Sequence, residues 1–200
     1  TLMYKSKTAA GQELANIRLR QVQLSDEQVG QHLRSLKYEE LSLFGQKKPV
    51  FSPQSVVRIV RLITKAINQT PPNKIVYFDL DTPHGPTIGV VFASNNVLNW
   101  KFSSIQGGRF SSKSFVSWGG SNWKLIRGPG QHYHSVKKLL GKEPLENWLK
   151  INLSRNSKKQ FRTNQKSSSS LVKGKSRGVK PKPKRKKSKT PITDPDLEKK

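Results

Sequence analysis

Apolar residues change their spacing along this chain. They recur at helical intervals between 25 and 69, alternate in short runs between 74 and 126, and become sparse after 153. The first well-marked helix is expected to open at Ser25. Its hydroxyl can accept from the backbone of Gln28, and the Gln28 side chain can return the bond in a capping box. Asp26 and Glu27 fall in the first turn, where the helix dipole favours carboxylates. Val29, Leu33 and Leu36 then share a face, and Leu41, Leu43 and Phe44 extend the apolar content to Gly45. A second helix is predicted over 53–69, with Pro53 suited to the first helical position. Val56, Ile59, Val60, Ile63 and Ile67 make its stripe, and Arg58, Arg61 and Lys65 make an opposite row open to solvent or phosphate. Before these, 1–24 is polar and mixed, with Leu14, Ile17 and Val22 spaced to mark one side of a short helix.

Thr70-Pro71-Pro72-Asn73 breaks the helical pattern. Five strands are expected after it, over 74–80, 87–93, 97–103, 115–118 and 123–126. In the first, Ile75, Tyr77 and Asp79 alternate with Val76, Phe78 and Leu80. In the third, Leu98, Trp100 and Phe102 alternate with Val97, Asn99 and Lys101, which predicts Trp100 and Phe102 as core. Ser94-Asn95-Asn96 and Gly119-Gly120-Ser121-Asn122 are turn signals. Gly128-Pro129-Gly130 reads as the end of the sheet, with short helices at 135–140 and 144–153 packing back through Leu145, Trp148, Leu149 and Ile151. The expected fold class is α+β: N-terminal helices, a five-stranded, mainly antiparallel sheet, short C-terminal helices and a disordered basic tail. The expected division is a partly ordered segment over 1–24, a globular domain over 25–153 and the tail over 154–200.

Charge alters the picture most at the C-terminus. Residues 155–189 hold fifteen Lys and Arg and no acid. Such a stretch has too little apolar surface to offset the entropy of ordering, and its like charges repel. It is expected to be disordered in isolation and to suit a polyanion, with Lys182, Lys184, Arg185, Lys186 and Lys187 at its densest point. That run resembles a nuclear-import signal, and its Lys, Pro and Ser content resembles linker-histone tails. The whole chain carries a formal charge of +26. Residues 1–153 hold 21 Lys and Arg against 9 Asp and Glu, or +12, so the charge is not confined to the tail. The lack of cysteine excludes disulfides and thiolate chemistry and fits an intracellular setting, nuclear in a eukaryotic host. No apolar run is long enough to span a bilayer, and no membrane partner is expected.

Three stretches are candidates for chemistry. Asp79-Leu80-Asp81 after a hydrophobic strand resembles the opening of haloacid-dehalogenase-like phosphatases. However, Pro83 stands where that motif takes Thr or Val, and no acid lies between Asp81 and Glu143 to supply magnesium ligands. His132-Tyr133-His134 resembles the metal-binding pattern of His-hydrophobic-His nickases. That resemblance implies a divalent cation on His132 and His134, with His84 as a third ligand and Tyr4 as nucleophile. The third stretch, 99–142, is acid-free and carries Lys101, Arg109, Lys113, Lys124, Arg127, Lys137, Lys138 and Lys142 among aromatic residues. Trp118 and Trp123 flank the glycine turn and are expected to be exposed for base stacking.

The expected function is non-enzymatic binding of DNA or RNA in a packaging, chromatin-like or RNA-associated role, without cofactor or metal. The alternatives are a metal-dependent nickase, and a protein-interaction adaptor whose tail is an import signal.

Overall fold

The computed structural model describes residues 1–41, 45–111, 123–139 and 141–153. Their fold is mostly β, with 45% strand and 24% helix, which corrects the α+β expectation. Among the described residues ten strands run in chain order: β1 (Leu2–Ser6), β2 (Lys37–Glu40), β3 (Lys47–Pro49), β4 (Lys74–Leu80), β5 (Thr87–Ser94), β6 (Val97–Ile105), β7 (Gly108–Arg109), β8 (Trp123–Ile126), β9 (Gln131–Lys138) and β10 (Gly141–Asn152). Two α-helices, α1 (Asp26–Ser35) and α2 (Pro53–Asn68), are present among the described residues. The main sheet has seven antiparallel strands in the order β1-β4-β5-β6-β10-β9, with β7 added to β6; β3-β2-β8 form a second sheet.

Both helices form as their sequence directs. Ser25 and Gln28 exchange the two bonds of the capping box. Ser52 caps α2 by accepting from the Ser55 amide at 3.1 Å, with Pro53 in the first turn. The hairpin between β5 and β6 turns on Asn95 and Asn96, both left-handed (φ 45° and 62°), a conformation that asparagine tolerates better than most residues.

The C-terminal helices expected at 135–140 and 144–153 are instead strands β9 and β10, paired with each other. Gly128-Pro129-Gly130 links β8 to β9 and does not end the sheet. The physical reason is a bulge. The β9–β10 register shifts between Leu145 and Leu149, so the period-two alternation is interrupted and Leu145, Trp148 and Leu149 acquire a helix-like spacing. Pro144 is tolerated because β10 meets β6 only from Trp148 onward and has β9 as its partner before that. The short helix expected around Leu14 and Ile17 is a pair of 3-10 turns after strand β1. The strand expected at 115–118 lies outside the described residues.

The main sheet is covered on both faces. On the inner face Val76, Phe78, Val91, Leu98, Trp100, Phe102, Leu149 and Ile151 join the apolar faces of α1 and α2 in one core. Phe51, Phe78, Trp100 and Phe102 meet there at ring separations of 5.6–6.4 Å. On the outer face Ile75, Val90, Phe92 and Trp148 pack with Leu14 of the N-terminal segment. No helix among the described residues is long and apolar enough to cross a membrane.

Candidate nucleic-acid interface

The cations expected to form one basic surface are distributed over separate parts of the fold. Lys101 faces outward from β6, salt-bridged to Glu13 at 2.5 Å and 5.2 Å from the Trp148 ring centroid. Lys124 on β8 lies 3.6 Å from Glu39. The Arg127 guanidinium rests 5.1 Å from the Tyr133 ring centroid. Lys138 is salt-bridged to Glu143. Arg109 on β7 and Lys137 on β9 are exposed and form no ion pair with the described residues. Lys113, Trp118, Lys182, Lys184, Arg185, Lys186 and Lys187 lie outside the described residues.

The aromatic part of the expectation needs correction. Trp123 is only 2% exposed. Its indole donates to the Gly108 carbonyl at 2.7 Å and its ring lies against Phe110. Trp100 and Phe102 are fully buried, as their alternation predicts. The described aromatics of 99–142 therefore serve chiefly as core, and none of these three presents a face for stacking on a base.

The fold does assemble an unbalanced set of cations at the β9–β10 hairpin. Lys137 and Lys142 stand directly opposite each other in the antiparallel register, and both are exposed. Like charges in that position repel, and the hairpin's one ion pair among the described residues goes to Lys138. The row on α2 differs. Arg58, Arg61 and Lys65 are exposed as expected, but Arg61 lies 3.9 Å from Asp26. Arg58 shares a groove with Asp79 and Asp81.

A third cationic group lies on the outer face, in a cavity of about 470 Å³. His132, Lys150 and Asn99 form one cross-strand row on β9, β10 and β6. His134, two residues along, stacks on Trp148 with ring centroids 3.8 Å apart. Arg18 lines the cavity from the N-terminal segment, and no carboxylate lines it. Burial is the main influence lowering the His134 pKa; Lys150 and Lys101 add to it and Glu13 opposes. Arg18 and Lys150 fall outside the stretch that the sequence marks for phosphate, whereas Lys142 closes it. The bulge hides the alternation that places Lys150 beside His132, and nothing local shows that Arg18 returns to the sheet.

The nickase constellation is not brought together. Tyr4 lies on β1 and His132 and His134 on β9, at opposite ends of the strand order, roughly 24 Å apart at about 4.8 Å per strand. They also lie on opposite faces. The Tyr4 hydroxyl donates to the Ala66 carbonyl of α2, whereas His134 stacks on the outer-face residue Trp148. His84 lines a different groove with Trp123 and Gln106. Among the described residues no group of three or more His, Asp or Glu is placed to hold a metal ion. No family model, curated protein or solved structure matches this chain.

Proposed function

We propose that this protein binds nucleic acid in a structural role, packaging or RNA-associated, through phosphate contacts rather than base stacking. The observation that carries the reading is the charge imbalance. Residues 1–153 set 21 cations against 9 carboxylates, and residues 154–200 set 17 against 3. On the folded part Lys137 and Lys142 face each other across the β9–β10 hairpin, and neither forms an ion pair with the described residues. A phosphate between them relieves that repulsion and releases condensed counterions. Trp100, Phe102 and Trp123 are buried, so the reading rests on phosphate contacts, which carry no sequence information of their own.

The test is titration of the full chain with single-stranded DNA, duplex DNA and RNA between 50 and 200 mM salt. With six or more phosphates contacted, affinity falls by roughly a thousandfold or more over that range. Affinity that stays flat for all three polymers contradicts the reading.

A further inference from the structure

We infer that the outer-face cavity between the N-terminal segment and strands β6, β10 and β9 binds a phosphate monoester through Arg18 and Lys150, with His132 and His134 beside them. This inference does not rest on the nucleic-acid reading, because it comes from the cavity's lining and not from overall charge.

Charge is the first argument. Two permanent cations share one concavity that no carboxylate lines. The carboxylate that acts on His134, Glu13, is salt-bridged to Lys101. An entering anion offsets the repulsion between Arg18 and Lys150 and meets donors of two geometries, a fork and a point charge.

The imidazoles select the anion. Burial, then Lys150 and Lys101, disfavour protonation of His134, against the pull of Glu13. A phosphate monoester carries about −1.5 to −2 near neutrality and titrates near 6. Its negative charge opposes the bias that Lys150 and Lys101 impose on His134. A diester carries one charge and two substituents, and offsets less of the positive charge of Arg18 and Lys150.

Size and rigidity are the third argument. The cavity volume of about 470 Å³ falls within the range of roughly 300–1,000 Å³ usual for small-molecule sites. Ile17 and Val97 offer apolar surface, and Asn16, Asn95 and Asn152 offer amides, to the organic group attached to the phosphate. The floor is fixed internally. Asn99 donates to Ser94 Oγ at 2.8 Å and accepts from Trp148 Nε1 at 3.1 Å, which holds the ring on which His134 stacks.

The chain has four histidines, so imidazole NMR on the full chain localises binding, with His32 and His84 as internal controls. Inorganic phosphate and a nucleoside 5′-monophosphate are titrated at ionic strength held constant with chloride. Saturable shifts at His132 and His134, with His84 unmoved, are expected. Lys150→Gln and Arg18→Gln should each weaken the midpoint about tenfold, the loss of one charge-assisted hydrogen bond, and Lys65→Gln on α2 should not. Short oligonucleotides with and without a 5′-phosphate then identify the source. Shifts from the phosphorylated strand alone assign a strand end; shifts from the free nucleotide alone assign a small metabolite. Shifts that are linear in phosphate, reproduced by chloride or indifferent to both variants overturn the site, and equal shifts from the 5′-hydroxyl strand overturn the choice of monoester.

Discussion

Helix α2 and the β9–β10 hairpin both carry an apolar side and a row of cations, and they differ in what surrounds the cations. Arg61 of α2 is near Asp26, and Arg58 shares its groove with Asp79 and Asp81. On the hairpin Glu143 pairs with Lys138 and leaves Lys137 facing Lys142, and the cavity beside it holds Lys150 and Arg18 without a carboxylate in its lining. A basic row with carboxylates nearby has the mixed signs of an ordinary solvated surface. An uncompensated one costs folding energy and gains it back when an anion arrives. The neighbours of a charge, which only the fold supplies, separate these two cases.

The largest predicted effect separates packing from surface on the hairpin strand itself. Trp148 is fully buried on β10, stacked by His134 and bonded to Asn99. Trp148→Ala should cost roughly 3–5 kcal/mol of unfolding free energy in urea titrations. A loss below about 1 kcal/mol would show that the outer face is not a packed core.

The next effect belongs to the helical side and depends on pH. His32 is 3% exposed on α1, its Nδ1 has no protein partner, and burial lowers its pKa from 6.5 to about 4. The folded state holds it neutral, whereas the unfolded chain takes up a proton near 6.5. Its contribution is therefore intact above pH 6.5, declines as pH falls, and is lost below 4. The drop amounts to about 3 kcal/mol at 1.36 kcal/mol per pH unit. Stability measured across that range should lose this component in His32→Gln; an unchanged acid profile would refute the assignment.

Smaller effects sharpen the comparison. Removing the α2 cap with Ser52→Ala should cost about 1 kcal/mol in the same urea assay. Lys142→Gln should have the opposite sign, stabilising the hairpin by roughly 0.2–1 kcal/mol through loss of a like-charge pair. Arg61→Gln, on a fully solvated residue beside Asp26, is the control expected to change little.

The same two elements show what the sequence could convey. Everything that specifies α2 is local: Ser52, Pro53 and an apolar stripe of helical period, so its start is read to the residue and its end to within one. Strands β4, β5, β6 and β8 are equally legible because each alternates or is bounded by asparagine, glycine or proline. The hairpin is not legible, because the bulge between Leu145 and Leu149 replaces alternation with a helix-like spacing. The mainly β class was missed for that reason, and because β1, β2 and β3 are short strands whose pairing partners lie far away in the chain. Of the site, the charge and the pair His132 and His134 were visible. The burial of Trp123 and the convergence of Arg18 with Lys150 were not, since both depend on contacts distant in sequence.

The most direct measurement compares two double variants of the full chain, each removing two positive charges. Lys137→Gln/Lys142→Gln alters the hairpin, and Arg58→Gln/Lys65→Gln alters α2. The readout is the slope of log affinity for duplex DNA against log salt. If the hairpin lysines meet phosphate, their removal makes the slope shallower by about 1.8, at roughly 0.9 per phosphate contact. The α2 pair should leave it unchanged. Equal slopes for the two variants, or a loss confined to α2, would contradict the central claim that the facing lysines Lys137 and Lys142 are where this fold meets phosphate.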